Sequence, residues 1–435
     1  MNFIKTILGN TRFHIGFHVS KLGRESLVAM GGIALEYYTI FLYGYSAKVI
    51  IDYFFGQSSP LIIFSAMLLS YVMGPLGAMI CGNIGDIKGR KQILAWTLAF
   101  VSIPSFLISL LPNYHQIGVT ASILFIILRS IQTVAFGGDT LGLATFVLEE
   151  APAQARGLYG GLMSMGAGIG VLCASFFISL SDPLDHPDSP WRWQIPLSFG
   201  IFGILFSLYF YRTIGETEIF KHYKEKYYVK TFPVVDLFRK NKVTFLKIVG
   251  LTSLAPIITI VIFGFIPNLD IAHLHITRKL SMLSNAAALV IFTLFAPIFG
   301  ALSDKVGRKP ILFGVTLTFL ILGFPLFYLL NHVNAGLVFI IQLFFALVSS
   351  AYYGVTFAIS IEHFPTHVRY TGVALGYYTA YALFGGINGL YIIEILSSEE
   401  RIRIVPVLYL LFGSVITFLS LLFIKEETGE KLQND

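Results

Sequence analysis

The stretch Gly82–Lys91, GNIGDIKGRK, is rich in charge although the chain around it is almost entirely apolar. A near copy, GALSDKVGRK, occupies Gly300–Lys309, 218 residues later. Both copies follow the pattern G-x-x-x-D-x-x-G-R-K. Because a ten-residue charged pattern does not recur by chance in an apolar chain, the sequence indicates a duplicated unit.

The composition around these copies is that of a membrane protein. The 435 residues are 55% hydrophobic and 12% charged, with a mean hydropathy of +0.76. Such a chain has too few polar groups to cover a water-exposed surface. A membrane-spanning helix needs about 20 mostly apolar residues, and the apolar runs predict twelve spans: 28–51, 61–82, 92–111, 119–148, 157–180, 193–212, 246–267, 280–302, 310–330, 336–361, 370–393 and 404–424.

The apolar runs are uniform, whereas the strands of an outer-membrane barrel alternate between apolar and polar residues. We therefore predict an all-α polytopic membrane protein. Residues 1–27 show no apolar core followed by a cleavage site, so we expect no removable signal peptide. Twenty-three of the 30 Lys and Arg residues fall in the termini and the even-numbered loops when the linker is counted from Arg212 to Lys247, which predicts that both termini are cytoplasmic. The same charge predicts anionic lipid as a partner on that face.

A second phrase is repeated in the same register. Glu149-x-x-Pro152-x-x-x-Arg156 follows the fourth span, and Glu362-x-x-Pro365-x-x-x-Arg369 follows the tenth, 213 residues later. The chain is therefore predicted to contain two pseudo-symmetric six-helix halves. The predicted segments are 1–27 (cytoplasmic), 28–212 (first half), 213–245 (cytoplasmic linker, most simply a solvated connector), 246–424 (second half) and 425–435 (cytoplasmic tail).

Twelve spans in two halves, with the charged phrase after spans 2 and 8, resemble the major facilitator superfamily of secondary transporters. GGIALEYYTIFLYGY, AFGGDTLGLATFVLEEAP, WRWQIPL and FPTHVRYTGVALGYYTAYALFGG resemble the metabolite:proton symporter subfamily, which includes proline/betaine transporters. The resemblance implies alternating access, in which two halves rock about a central site. The subfamily usually has an aspartate three residues after its first-helix glutamate, but this chain has Thr39, which leaves open either altered coupling or facilitated diffusion.

The charged phrases are predicted to form a cytoplasmic gate. Asp86 and Asp304 follow spans 2 and 8, where each could pair with nearby cations or with the positive N-terminus of a neighbouring helix. The alternative is that both loops are merely topology signals. Glu149 with Arg156, and Glu362 with Arg369, are predicted as companion latches, or else as ordinary solvated charges. The predicted gate residues are Gly82, Asp86, Gly89, Arg90, Lys91, Asp304, Gly307, Arg308, Lys309, Glu149, Arg156, Glu362 and Arg369.

Ionisable residues within spans are costly and mark functional sites. At a rise of ~1.5 Å per residue, Glu36 and Asp139 reach a similar depth near the middle of the bilayer. We predict that both couple transport to protons, with hydrogen-bonded structural acids as the alternative. Arg129 lies nearer the outer surface and either assists proton transfer, attracts substrate, or extends toward the interface.

Aromatic side chains suggest the substrate class, because aromatic rings attract quaternary ammonium groups. The predicted cavity residues are Tyr37, Tyr38, Tyr352, Tyr377, Tyr381 and Asn388. We therefore expect a proton-coupled importer of a small zwitterion such as proline or glycine betaine. An organic-acid symporter is the alternative, and a membrane sensor that retains the fold without transporting is a third possibility.

Other classes of protein find no support in the sequence. No catalytic or phosphate-binding motif occurs, so an enzyme is not expected, and no soluble basic domain would bind nucleic acid. Cys81 and Cys173 fall in or at the end of separate spans, which suggests neither a disulfide nor a metal site. The proton gradient is the expected energy source without any cofactor, the cell inner membrane the expected location, and a monomer the expected state.

Overall fold

The computed structural model describes residues 21–56, 60–181, 193–226, 232–266, 278–330, 335–386 and 405–432. Apolar helices dominate this part of the chain because a helix satisfies its own backbone hydrogen bonds, as the interior of a bilayer requires. The spanning helices are α1 (Lys21–Tyr45), α2 (Pro60–Lys88), α3 (Arg90–Ser109), α4 (Val119–Glu150), α5 (Arg156–Ser181), α6 (Gln194–Thr213), α7 (Lys242–Phe265), α8 (Arg278–Val306), α9 (Arg308–Leu330), α10 (Ala335–Glu362), α11 (Arg369–Tyr381) and α12 (Val405–Phe423).

These helices form two six-helix halves, α1–α6 and α7–α12, as the repeated phrases predict. Ten of the described helices are long and apolar enough to cross a membrane, and α2 and α11 complete the set of twelve. Short helices extend α1 (Ala47–Phe55) and precede α4 (Tyr114–Ile117). The spans predicted from the apolar runs therefore correspond one by one to the observed helices.

The two halves make their most extensive contacts along two helix pairs, α2 with α11 and α5 with α8. Small residues allow the close approach of α5 and α8: a Cβ added to Gly157 would collide with the Gly300 carbonyl oxygen, and the converse also holds. In a bilayer, helix association depends on such close packing because lipid is as apolar as the side chains. The halves are therefore in direct contact over much of their length.

Both described ends of the chain lie at one end of the bundle. Arg24 near the start of α1 donates a hydrogen bond to the Thr213 carbonyl at the end of α6, 3.1 Å away. At the same end, the Lys309 ammonium donates to the carbonyl of Ile424, which follows α12. We call this end the terminal face and the other end the opposite face.

Two spans leave regular α-helical geometry in the second half. Residues Thr259–Phe265 of α7 and Ala382–Gly386, which continue α11, are π-helical. Such π segments occur frequently at functional sites. Both contain residues that line the central cavity described below.

The linker between the halves is more ordered than a solvated connector. It contains the helices Glu218–Lys226 and Pro233–Lys240. Phe220 and Leu237 are buried, and the amide of Val234 donates to the Asn83 side chain on α2. The expectation of a simple solvated connector is thus wrong in its packing, because apolar side chains anchor both linker helices to the terminal face.

Candidate functional site

The charged phrase is almost entirely helical in both copies. Helix α2 runs to Lys88 and α3 begins at Arg90, so Gly89 alone separates them, and Gly307 separates α8 from α9 in the same way. Their φ angles of +122° and +104° lie in the region that favours glycine. Gly82 has another function: it lies within α2, where a Cβ would meet the Thr371 backbone of α11.

Each aspartate of the phrase binds the first turn of a helix in the other half. Asp86 accepts hydrogen bonds from the amides of Tyr370 (3.2 Å) and Thr371 (2.8 Å), and from the Thr371 hydroxyl (2.7 Å). Asp304 accepts from the amides of Gly157 (2.8 Å) and Leu158 (2.9 Å). Free amides and the helix dipole make a helix N-terminus attractive to a carboxylate, so both contacts hold the halves together at the terminal face.

The arginine that follows each glycine joins two acidic residues within its own half. Arg90 lies 3.1 Å from Asp86 and 3.2 Å from Glu149. Arg308 lies 2.8 Å from Asp304 and 3.1 Å from Glu362. These charged groups are almost completely buried, and buried charges are stable only when paired.

The glutamate–arginine pairs differ from those expected from the second repeated phrase. Glu149 pairs with Arg369 of the other half at 3.0 Å, and Arg308 supplies the cation for Glu362. Arg156 donates to the backbone carbonyl of Glu430 in the tail, 2.7 Å away. The predicted pairing within each phrase is therefore incorrect, because proline and a 3₁₀ turn separate the two charges and direct them to different neighbours.

The lysines of the phrase contact groups other than the aspartates. The Lys91 ammonium lies 4.8 Å from the centre of the Tyr211 ring, and the Lys309 ammonium donates to the Ile424 carbonyl at 2.6 Å. The Arg90 guanidinium also lies over the ring of Phe220, a linker residue, at 4.6 Å. The linker therefore contributes directly to the charged cluster.

Two glutamates that were not predicted from the sequence cap the helices after the charged turns. Glu216 accepts a hydrogen bond from the Lys91 amide at 3.2 Å. Glu426 accepts from the amides of Arg308 at 3.0 Å and Lys309 at 2.8 Å. The two glutamates are 210 residues apart, so a search for a third repeated phrase, after spans 6 and 12, could have found them.

Glu426 lies beyond the last spanning helix and is held as a carboxylate. Partial burial opposes its ionisation, but the Thr428 hydroxyl and the amides of Lys309 and Arg308 hold the pKa of Glu426 below its ordinary value. A charged cap at a helix N-terminus is stabilising. The tail is thereby attached to the start of α9.

A cavity of about 380 Å³ lies between the two halves. Its lining residues extend from Glu36 on α1 to Phe55 on the short helix that follows it, and along α4 from Phe125 to Phe136, together with residues of α2, α7 and α11. On both α1 and α4 these residues lie between the middle of the bundle and the opposite face. The cavity is thus located beyond the charged contacts that join the halves at the terminal face.

The two predicted proton-coupling acids differ in their access to the cavity. Glu36 lines it and accepts hydrogen bonds from the hydroxyls of Thr140 and Tyr378. Asp139 is absent from the described lining and accepts from the Thr97 hydroxyl of α3 at 2.9 Å. Its second oxygen has no hydrogen-bond partner among the described residues. The two acids interact electrostatically, so the structure places them in one buried cluster, with only Glu36 facing the cavity.

Arg129 also lines the cavity. Its guanidinium lies 4.1 Å from the centre of the Tyr43 ring and donates to the Gln132 side chain at 2.6 Å. Of the interpretations left open by the sequence, extension toward the interface therefore does not describe its position. The group is directed into the space between the halves.

Tyr37, Tyr377 and Tyr381 line the cavity, but Tyr38 and Tyr352 do not. Tyr38 donates to the Pro196 carbonyl at 2.8 Å, and Tyr352 donates to the Leu251 carbonyl at 2.7 Å. Both are buried in contacts within one half because the helical periodicity turns them away from the cavity. Asn388 lies outside the described residues.

Tyr378, which was not predicted, also lines the cavity. Its hydroxyl lies 3.4 Å from a carboxylate oxygen of Glu36, so this contact joins α11 to α1 across the two halves. Space for its ring is provided by Gly74 of α2, where a Cβ would lie 3.1 Å from the ring. The pair of adjacent tyrosines in GYYTAY was visible in the sequence, but only the packing shows that the second one reaches Glu36.

A comparison with known families matches residues 29–390, and separately 248–434, to the Major Facilitator Superfamily. The chain is similar to the glycine betaine/proline/ectoine/pipecolic acid transporter OusA of Dickeya dadantii, with 27% identity over 95% of this chain and 85% of the relative. It is also similar to the shikimate transporter of Escherichia coli, with 28% identity over 94% of this chain and 95% of the relative.

Among solved structures, the fold resembles that of the proton:xylose symporter XylE bound to 6-bromo-6-deoxy-D-glucose. The TM-score is 0.75 over 96% of this chain and 98% of XylE, at 17% sequence identity. At this identity the likeness shows the fold alone. Together with the family match over most of the sequence, it establishes that the chain belongs to the major facilitator superfamily and is a multi-pass membrane transporter rather than an enzyme.

Proposed function

We propose that the protein imports a small zwitterionic solute, such as proline or glycine betaine, by proton symport across the cell inner membrane. The observation that carries this proposal is the cavity between the halves. Among its described lining residues, Glu36 carries a titratable acid, Arg129 carries a permanent positive charge, and tyrosine rings form much of the wall between them. The named substrates of OusA, which is similar over nearly the whole chain, include both solutes.

The distribution of charge along the cavity places the binding site for the solute apart from the site for the proton. Arg129 precedes Thr140, the hydrogen-bond donor to Glu36, by eleven residues on α4, which corresponds to about 16 Å along the helix axis. A solute as short as glycine betaine cannot contact both positions at once. We assign the carboxylate of the solute to Arg129 and its cation to the neighbouring tyrosine rings, whose faces attract ammonium groups. Glu36 then remains available for the proton.

Proton coupling is assigned to Glu36 together with Asp139. A carboxyl group in a dry site interacts strongly with a second one nearby, so protonation of one favours ionisation of the other. Thr39, which occupies the place of the acid usual in the subfamily, donates to the Leu35 carbonyl at 2.9 Å and supplies no charge. The acid on α4 is therefore proposed to take the place of the missing acid on α1.

The terminal face is proposed to be the cytoplasmic side, since most of the positive charge of the loops lies there. The contacts of Asp86, Asp304 and Glu149 across the halves then form the inner gate. Opening the cavity to the cytoplasm requires these contacts to break as the halves rock. Anionic lipid is proposed to bind this basic face, and the protein is proposed to act as a monomer.

An organic acid is the second candidate for the substrate. Arg129 offers a guanidinium suited to any carboxylate, and the shikimate transporter of Escherichia coli is similar over nearly the whole chain. Such a solute would need Arg129 but not an aromatic environment for a cation.

The test is uptake of labelled glycine betaine, proline and shikimate into proteoliposomes, with and without an inward proton gradient. We expect gradient-driven accumulation of a zwitterion, loss of accumulation in Glu36→Gln and Asp139→Asn, and at least a tenfold increase in KM in Arg129→Gln, because a hydrogen bond between charged partners is removed. Tyr38→Phe serves as a matched control, since this tyrosine lies away from the cavity. Equilibration without accumulation would contradict proton coupling, and uptake of shikimate alone would favour the organic acid.

A further inference from the structure

We infer that Tyr378 is a positioning residue for proton coupling: its hydroxyl detects the charge of Glu36 from the other half of the molecule. This inference rests on the proposed function, in which Glu36 carries the proton. It concerns a residue outside the predicted acid pair, and it assigns to one contact the step that links protonation to movement of the halves.

The contact between Tyr378 and Glu36 connects the two halves of the molecule. Glu36 belongs to α1 in the first half, whereas Tyr378 belongs to α11 in the second half. The other described hydrogen bond to the Glu36 carboxylate comes from Thr140, which is on α4 of the same half. Of these two donors, only Tyr378 must change its distance to Glu36 when the halves rock.

The Tyr378 hydroxyl lies among acids and other tyrosines. The titratable groups that interact electrostatically with Glu36 and Tyr378 are Asp139 from α4, Tyr37 from α1 and Tyr381 from α11, and the Tyr377 ring packs against that of Tyr378. The hydroxyls of Tyr377 and Tyr381 are 3.2 Å apart, and that of Tyr353 on α10 lies 3.3 Å from Tyr381. Tyr378 is therefore the member of the tyrosine group whose hydrogen bond reaches an acid in the first half.

The contact between the Tyr378 hydroxyl and Glu36 is long for a hydrogen bond. At 3.4 Å it exceeds the usual 2.7–2.8 Å of an O–H···O bond, so the contact is weak and mainly electrostatic. A phenol donates more strongly to a carboxylate than to a neutral carboxyl group. Ionised Glu36 therefore holds α11 against α1 while the terminal face is closed, and protonation of Glu36 weakens this attachment.

The consequence is a restraint on uncoupled movement. Without a proton on Glu36, the attachment of α11 to α1 opposes opening of the terminal face, even when solute occupies the cavity. With the proton bound, the restraint weakens and the halves can rock. Loss of the Tyr378 hydroxyl should thus leave the protein able to move but no longer dependent on protonation.

The experiment measures the distance between the halves and needs no substrate. Spin labels are attached to cysteines introduced at Lys88 and Val306, exposed positions at the terminal ends of α2 and α8, after replacement of Cys81 and Cys173. In the otherwise wild-type protein we expect the ratio of open to closed terminal faces to rise about tenfold between pH 8 and pH 6, the ratio that separates a hydrogen bond to a charged acceptor from one to a neutral acceptor.

In Tyr378→Phe the ratio should be nearly independent of pH and close to the low-pH value of the wild type. Glu36→Gln should behave in the same way, and the double variant should show no further change, because both substitutions remove the same interaction. Tyr352→Phe is the control: it deletes a buried tyrosine hydroxyl that contacts a carbonyl within its own half, and its pH response should match the wild type.

The outcomes distinguish failure of the role assigned to Tyr378 from failure of proton coupling itself. A pH response in Tyr378→Phe equal to that of the wild type would overturn the role of Tyr378 and leave proton coupling intact. Additive effects of the two single substitutions would overturn it as well. Absence of any pH response in the wild type would instead contradict proton coupling, and the assignment of Tyr378 with it.

Discussion

The two copies of the charged phrase adopt the same local structure but connect the halves differently. In each copy a glycine separates two helices, an aspartate caps a helix of the other half, and an arginine joins that aspartate to a glutamate. The two halves differ at the arginine of the other repeated phrase, Glu-x-x-Pro-x-x-x-Arg. Arg369 reaches Glu149 across the halves, whereas Arg156 binds a backbone carbonyl in the tail.

The aspartate caps and the arginine–glutamate pairs are therefore symmetric between the halves, whereas the partners of Arg369 and Arg156 are not. The first-half cluster joins two buried arginines to one glutamate. The second-half cluster contains one close arginine–glutamate ion pair, while Arg156 interacts with Glu362 only at longer range and donates to the tail. The closed terminal face should therefore depend more on the charges around Glu149 than on those around Glu362.

The largest effect is expected from a comparison of Arg369→Ala with Arg156→Ala, the same change at corresponding positions. Removing one member of a buried ion pair costs about 3–5 kcal/mol because the partner remains buried. Arg369→Ala should therefore shift the spin-label distance between positions 88 and 306 toward the open form far more than Arg156→Ala. Equal shifts in the two variants would remove the proposed asymmetry.

A smaller effect should separate Asp86→Asn from Asp304→Asn. Hydrogen bonds to charged groups contribute about 1.5–3 kcal/mol, and Asp86 accepts one more bond from the opposite half than Asp304 does. Both variants should favour the open form in the same measurement, Asp86→Asn by about 1 kcal/mol more. If Asp304→Asn proves the more disruptive, the α5–α8 contact rather than the α2–α11 contact dominates closure.

The smallest effect is expected from the tail. A stop codon after Thr428 retains the caps formed by Glu426 and Thr428 but removes the Glu430 carbonyl that accepts from Arg156. The loss should favour the open form by about 1 kcal/mol, as for one hydrogen bond.

The truncation and Arg156→Ala should not be additive in the distance measurement, since they delete opposite ends of one bond. Additive shifts would show that Arg156 stabilises closure through a different partner.

Much of the architecture could be predicted because it depends on local composition. The apolar runs identify the helices, since any segment in lipid must satisfy its own backbone. The repeated phrase at Gly82 and Gly300 identifies the duplication and the likeness to the superfamily. The depth of Glu36 and Asp139 followed from counting residues along helices, and the structure places both in one buried cluster.

Predictions of which side chains contact each other were less accurate. Glu149 and Arg156 are neighbours in sequence, yet Glu149 binds Arg90 and Arg369. The tyrosines of α1 and α10 could not be sorted by spacing alone, because in a helix packed on several sides every face meets a neighbour. Tyr38 and Tyr352 accordingly point into single halves, whereas Tyr378 reaches across.

The sequence by itself determined the membrane class, the helices, the duplication and the chemical character of the charged turns, because hydrophobicity and helical period are properties of neighbouring residues. Only the tertiary structure decided which charges pair, that Glu216 and Glu426 cap the helices after those turns, and that Tyr378 meets Glu36 between the halves. These contacts join residues as many as 342 positions apart, and their geometry depends on how twelve helices pack rather than on any one of them.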